Sequence, residues 1–315
     1  MVTYLLRRLG FIVLTMVLAS MVIFGATQLL PGDVAGELLG QFASPEALAN
    51  LRAQLGLNRP VYVQYLDWLS KFVTGNWGNS MVSHLPVLPM IAERLRNSAM
   101  LGGLALLFYV PLGILLGVLA ALNREKLLDQ TISAFTMAFV GLPEFVSGLV
   151  LIALFALHFH VLPANSSIDV DTGFIAALPY LILPAITVSL TSLGYVARMT
   201  RASTIDVLSM DYVRAAELKG LPRGQVMVKH VLRNALLPTV TVVAMGIGYL
   251  IGGLIITEEV YGYPGLGRLL IYGLQRRDLI LIQACSMVIV AVFSLSNLAA
   301  DLLYGILNPR IRVGK

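Results

Sequence analysis

Few residues in this 315-residue chain have the types and spacing that chemistry needs. The four histidines, His84, His158, His160 and His230, invite a metal reading. His158 and His160 are only two apart and would face different sides of a helix, and no carboxylate or thiol cluster completes a site. They read as residues of interfaces and of the basic segment that holds His230. Cys285, the one cysteine, lies in an apolar run, which excludes a disulfide framework and a cysteine-based metal centre. No Ser/His/Asp set and no pair of carboxylates suggests catalysis. No G-x-x-x-x-G-K-[ST] loop is present to cradle nucleotide phosphates. No catalytic residue and no metal ligand is assigned.

Glu144 stands out, because it follows Pro143 inside a long apolar run. A carboxylate at membrane depth is costly and is by default a functional hypothesis. It either meets substrate, with a preference for a cationic group, or sits near the inner end of a pore, hydrated or paired with an arginine. Glu258 and Glu259 close another apolar run and precede a Gly/Pro-rich turn, for which a simple solvated turn is the plain reading. Asp301 lies near the end of the last run, within reach of Arg310, Arg312 or a partner subunit.

These residues are set among elements that belong in a bilayer. The chain is 57% hydrophobic and 12% charged, with mean hydropathy +0.83, against roughly 25% charge in soluble domains. A spanning helix needs about 20 mainly apolar residues, and six segments qualify: 9–30, 98–122, 131–159, 177–197, 236–257 and 279–303. The chain is thus read as an all-α polytopic membrane protein. Arg7 and Arg8 before the first run resemble a signal peptide's start, but the run is too long and lacks a small-residue cleavage site. With the N-terminus inside, fourteen of the 22 Lys and Arg fall on the cytoplasmic side, which favours N-in and C-in. The net charge of +5 clusters at span ends, so anionic lipid, rather than nucleic acid, is the expected partner.

Three regions follow: an N-terminal segment with the first span (1–30), a large periplasmic loop (31–97) and a transmembrane domain (98–315) with a cytoplasmic segment at 198–236. In the loop, Ser44-Pro45-Glu46-Ala47 reads as an N-cap with proline at the first helical position, and Gly56 would end the run to Leu55. Val61–Val73 carries Tyr62, Tyr65, Leu66, Trp68, Leu69 and Phe72 at helical spacing. It would lie at the membrane interface or touch a soluble partner. Gly113-x3-Gly117 and Gly248-x3-Gly252 read as packing faces. Pro111, Gly141-Leu142-Pro143 and Pro184 interrupt spans and free backbone groups that need partners.

Asp211–Pro238 is long, basic and helix-forming. Arg198 and Arg201 would close the fourth span, with Asp206 and Asp211 as helix-start acids. Tyr212–Lys219 would form a helix stopped by Gly220-Leu221-Pro222. Arg223–Asn234 would form a second, with Leu237-Pro238 opening the fifth span. Two short helices at a sharp bend could pass a rigid-body push or simply bind anionic lipid.

Residues of this segment resemble the EAA signature of ABC importer permeases: Ala215-Ala216, Gly220 at a fixed interval, and the closing Leu237-Pro238. Arg214 stands where that family usually has glutamate, and the interval from glycine to proline is longer than in sugar permeases. Both departures resemble the dipeptide/oligopeptide/nickel branch, as do Asp211-Tyr212-Val213-Arg214 and the stretch from His230 to Pro238. Tyr4–Leu9, Leu30–Asp33, Leu55–Pro60, Gly75–Ser80, Glu259–Gly267 and Asn308–Arg312 are similar to landmarks of that branch in the same order.

The resemblance implies a permease subunit that forms the pathway for peptides across the bacterial inner membrane by alternating access. Its partners would be a second homologous permease, two ATP-binding subunits that hold the ATP and Mg, and a periplasmic substrate-binding protein. Tyr212, Arg214, Ala215, Ala216, Glu217, Lys219 and Gly220 would couple to an ATPase. Glu258, Glu259, Tyr263, Pro264 and Gly265 would form part of the outer gate and the binding-protein contact. Pro143, Glu144 and Phe145 would line the substrate pathway. Nickel chelates, glutathione, opines or oligosaccharides are alternative cargoes. A stand-alone secondary transporter is the competing class, although neither inverted repeats nor a chain of intramembrane acids is evident.

Overall fold

The computed structural model describes residues 2–29, 44–54, 58–169 and 172–307. Among them the only β pairing is an isolated bridge between Asn79 and Pro86. In chain order the helices are α1 (Val2–Leu29), α2 (Pro45–Gln54), α3 (Val61–Val73), α4 (Val87–Leu122), α5 (Leu127–Gly141) and α6 (Glu144–His158). They continue as α7 (Phe174–Leu208), α8 (Asp211–Leu218), α9 (Arg223–Val260), α10 (Leu266–Arg276) and α11 (Leu279–Leu307). The expected Gly56 stop and the pairing of Asp301 with Arg310 or Arg312 involve residues outside those described. So do the landmarks Leu30–Asp33 and Asn308–Arg312, and part of Leu55–Pro60.

Among the described residues five helices are long and apolar enough to cross a membrane, and α5 with α6 makes a sixth if the bent pair is one span. The bend is 112°. Its cause is local: Pro143 has no N–H to continue the helix and drives the residue before it out of the α region, so Leu142 is extended at φ −90°, ψ 134°. Pro111, Pro184 and Pro238 do not break their helices. Pro238 therefore does not open the fifth span. That helix starts at Arg223, passes through a π turn at Met227–Leu232 and runs unbroken to Val260. Likewise α7 does not end at Arg198 but continues to Leu208. At 1.5 Å per residue, α7 and α9 reach about 52 and 57 Å, well beyond the roughly 30 Å hydrocarbon layer.

The chain divides into two compact units, Met1–Arg96 with Leu269–Ser294, and Asn97–Arg268 with Leu295–Lys315. In the first unit, Ser44 caps α2 as expected, its Oγ accepting from Ala47 N at 3.2 Å. The α3 helix rests its aromatic face on α1. Phe24 packs against Tyr65 and Trp68 at 5.5 and 5.6 Å, and the Tyr65 and Ser20 hydroxyls share a 2.8 Å hydrogen bond. Trp77 stacks on Phe72 at 5.0 Å and donates its indole N–H to the Phe72 carbonyl. Asp278 is fully buried, accepts from Ser80 Oγ at 2.5 Å and caps the start of α11 through Leu281 N.

The second unit holds the larger core, in which Leu101, Ala105 and Tyr109 of α4 meet Leu181, Val188 and Val196 of α7 and Leu250 and Leu254 of α9. Close approach is set by small residues. A Cβ on Gly117 would lie 2.6 Å from the Ala197 carbonyl oxygen and from Thr200 Cβ, and one on Gly113 would lie 2.8 Å from Val196. The Gly113-x3-Gly117 packing face is therefore present. Of the second expected pair Gly248 is buried, but Gly252 meets nothing in this chain and its neighbour Gly253 is the close-packed position. Gly117→Val should thus destabilise the bundle by about 1–3 kcal/mol through overpacking, while Gly252→Ala should be neutral. Thermal unfolding of the purified protein in detergent distinguishes the two.

Candidate functional site

The basic segment between α7 and α9 folds into one short helix on a rigid mount. An eight-residue helix is marginal alone, and α8 is held by the packing of one face. Val213 and Ala216 are buried one turn apart against Val207, Val226, Val231 and Ala235. Tyr212 adds a polar tie, its hydroxyl accepting from Asn234 Nδ2 at 2.8 Å and donating to the His230 carbonyl. Gly220 has φ +77°, with its N–H on the Glu217 carbonyl and that of Leu221 on the Ala216 carbonyl. This paired closure requires a left-handed residue, and Pro222 then blocks any continuation.

Of the residues expected to couple, Tyr212, Arg214, Ala215, Glu217, Lys219 and Gly220 are exposed, and Ala216 faces inward. Leu218, not singled out from sequence, is 84% exposed at the helix end. The expected second short helix is instead the first part of α9, so α8 is mounted directly on a membrane-length strut.

An ion pair that sequence reasoning missed braces the same region. Asp129, buried in the first turn of α5, takes two hydrogen bonds from Arg201 Nε and NH2 at 2.6 Å each and one from Glu125 N at 2.9 Å. Arg198 reaches the Met137 sulfur. Asp206 lies inside α7 rather than at a helix start, whereas Asp211 does open α8.

The two adjacent glutamates at the end of α9 have opposite fates. Glu259 is exposed, and Glu258 is fully buried. Ser98 Oγ donates to Glu258 Oε1 at 2.5 Å and accepts from Leu266 N at 2.8 Å. Glu258 Oε2 accepts from Gly267 N at 2.7 Å and Arg268 N at 3.2 Å. The first three amides of α10 are thus served by one hydroxyl and one carboxylate, at the helix end that favours negative charge.

Glycine is required around this cap. A Cβ on Gly265 would overlap the Glu258 carboxylate, and one on Gly267 would lie 2.5 Å from Ile255 Cα. Tyr263 donates to the Asn97 carbonyl at 2.9 Å, and Asn97 donates to the Pro264 carbonyl at 2.9 Å. Tyr263, Pro264 and Gly265 are buried, so this is not a solvated turn.

At the α5–α6 break, Pro143 and Phe145 are exposed and Glu144 is half-buried. The Glu144 carboxylate fills the notch left by Gly253, where a Cβ would lie 2.5 Å from Oε2. Among the described residues no ion pair with Glu144 is found, and its Oε2 is buried without a hydrogen-bond partner. His158 ends α6 and His160 follows two residues later, and the described residues contain no group of three His, Cys, Asp or Glu that could hold a metal.

The described residues thus form a multi-span helical bundle with one broken span, one capped turn and a braced surface helix. Residues 113–313 match the model of the binding-protein-dependent transport system inner membrane component, and residues 1–100 match the N-terminal model of the same component. The chain belongs to this family and is a multi-pass component of the bacterial inner membrane, the permease part of an ABC transport system. Such a component works with a partner permease, an ATPase and a substrate-binding protein. The chain is 37% identical to the dipeptide transport system permease protein DppB of Escherichia coli K12, over 99% of both chains. It is 36% identical to the glutathione transport system permease protein GsiC of the same strain, again over 99% of both. In fold it resembles an inward-facing MetNI methionine ABC transporter structure with TM-score 0.59 at 17% identity, covering 71% of this chain and 98% of that one.

Replacing Glu258 with alanine strands two amides and the Ser98 hydroxyl, each bond to a charged group contributing roughly 1.5–3 kcal/mol. Hydrogen exchange at Gly267 and Arg268 should then accelerate by at least about ten-fold, with a smaller change in Ser98→Ala.

Proposed function

We propose that this chain is the permease subunit of an ATP-driven importer that carries short peptides inward by alternating access. The observation that carries the reading is its near-full-length likeness to permeases named for dipeptide and glutathione transport. Glutathione is itself a tripeptide, so both names fall within one substrate class. In this reading two ATP-binding subunits hold the ATP and Mg, a second homologous permease completes the pathway, and a periplasmic binding protein delivers cargo. Both termini lie in the cytoplasm, and the segment 198–236 projects there.

The exposed face of α8, with Arg214, Glu217 and Lys219, seats in a groove of one ATPase. The buried face and the Tyr212–Asn234 tie make its displacement a displacement of α7 and α9 as well, because a packed element moves as a body. The Asp129–Arg201 pair adds α5 to that body. On the opposite side, the turn from Glu258 to Gly265 is a stiff part of the outer gate, with exposed Glu259 facing the binding protein.

The experiment is uptake of a labelled dipeptide by proteoliposomes holding the complete complex, with and without ATP. A left-handed conformation costs a side-chain-bearing residue about 1–2 kcal/mol, so Gly220→Val should loosen the end of α8 without dissolving the bundle. It should leave the complex assembled and still hydrolysing ATP, while uptake per ATP falls several-fold. Wild-type uptake by this variant would refute the coupling role.

A further inference from the structure

At the break in the bent span the carboxylate of Glu144, the first residue of α6, stands beside the carbonyl end of α5. The last four carbonyls of a helix lack amide partners within it, and α5 ends at Gly141 with no basic residue in its last turn. Pro143 brings no N–H to serve one of those carbonyls, and Gly141, Leu142 and Pro143 are all exposed. Immediately after them the Glu144 carboxylate lies in the Gly253 notch with Oε2 buried and unpartnered. Buried acceptors without donors are exceptions that call for an explanation. Glu258 supplies the contrast within the same unit, since its carboxylate is taken up by Ser98, Gly267 and Arg268.

In transporters, cations are held where a spanning helix is interrupted, by unwound carbonyls and the negative ends of half-helices. An ammonium group, with three donors and no acceptor, suits such a set of acceptors.

We propose that Glu144 and the carbonyl end of α5 form a passage site for the ammonium group of the transported peptide, with the Gly253 notch fixing the carboxylate in place. The ammonium is the amino terminus that every peptide carries or the side chain of a lysine residue. This site rests on the reading of the chain as a peptide permease. It recognises cargo after release from the binding protein, so its selectivity adds to that protein's own.

The test uses the complete importer in proteoliposomes, with initial uptake of Ala-Ala and Lys-Ala measured for wild type, Glu144→Gln and Glu144→Asp. Glu144→Gln keeps the shape and removes the charge. It should lower uptake about ten-fold, the size of one lost hydrogen bond to a charged group, while ATP hydrolysis stimulated by loaded binding protein persists. Glu144→Asp, which keeps the carboxylate, should recover most of the rate. Loss for both peptides assigns the amino terminus, and loss for Lys-Ala alone assigns the side chain. Wild-type rates in Glu144→Gln, or equal losses in Gln and Asp variants, would overturn the proposal and leave the peptide reading intact. Failure of the wild-type importer to take up either peptide would overturn the peptide reading and this site with it.

Discussion

Inside a bilayer every backbone N–H and C=O must find its partner within the protein, because no water is there to supply one. Most of this chain meets that requirement with long helices that run through Pro111, Pro184 and Pro238. Two places in the second unit do not follow the rule so simply. At Tyr261–Leu266 the chain turns, and the exposed amides of the next helix are served by Ser98 and Glu258. At Leu142-Pro143 the helix breaks, and the carboxylate beside the break is left with a buried acceptor unserved. One interruption is closed and stiff, the other open and unsatisfied. That difference is what sets the proposed cargo site apart from the structural turn.

The surface helix follows a similar logic. α8 is too short to stand alone, so its conformation is borrowed from the apolar cluster beneath it, the glycine that closes it and the tyrosine tie to α9. A helix mounted in this way moves with its supports. Because α9 continues without interruption from that cluster to Val260, a push at one end of the strut is delivered along its whole length.

Much of this architecture was legible in the sequence because it rests on local rules. Apolar runs of sufficient length marked the spans, the Ser44-Pro45 pair marked the start of α2, and Gly220-Leu221-Pro222 marked the end of α8. Helix continuity was less legible. Asn234 and Leu237-Pro238 read as the end of one helix and the start of the next, yet α9 runs through both, with a π turn at Met227–Leu232. Pairings distant in sequence were not legible at all. Asp129 and Arg201 are 72 residues apart, and Ser98 and Glu258 are 160 apart. The close-packed glycine was off by one position, because spacing identifies a face only when the helix's rotation is known. Glu144 was conspicuous from its type alone, but the notch at Gly253 that receives it required the fold.

The central claim is that α8 is the element through which an ATPase moves the permease. Site-directed cross-linking tests it most directly. Leu218→Cys places a reactive thiol at an 84% exposed position on α8, while the chain's own Cys285 is buried. In the assembled complex a short cross-linker should join the introduced thiol to an ATPase subunit, and that thiol should lose its reactivity to a water-soluble maleimide. A thiol that labels freely in the assembled complex and joins no ATPase subunit would contradict the account.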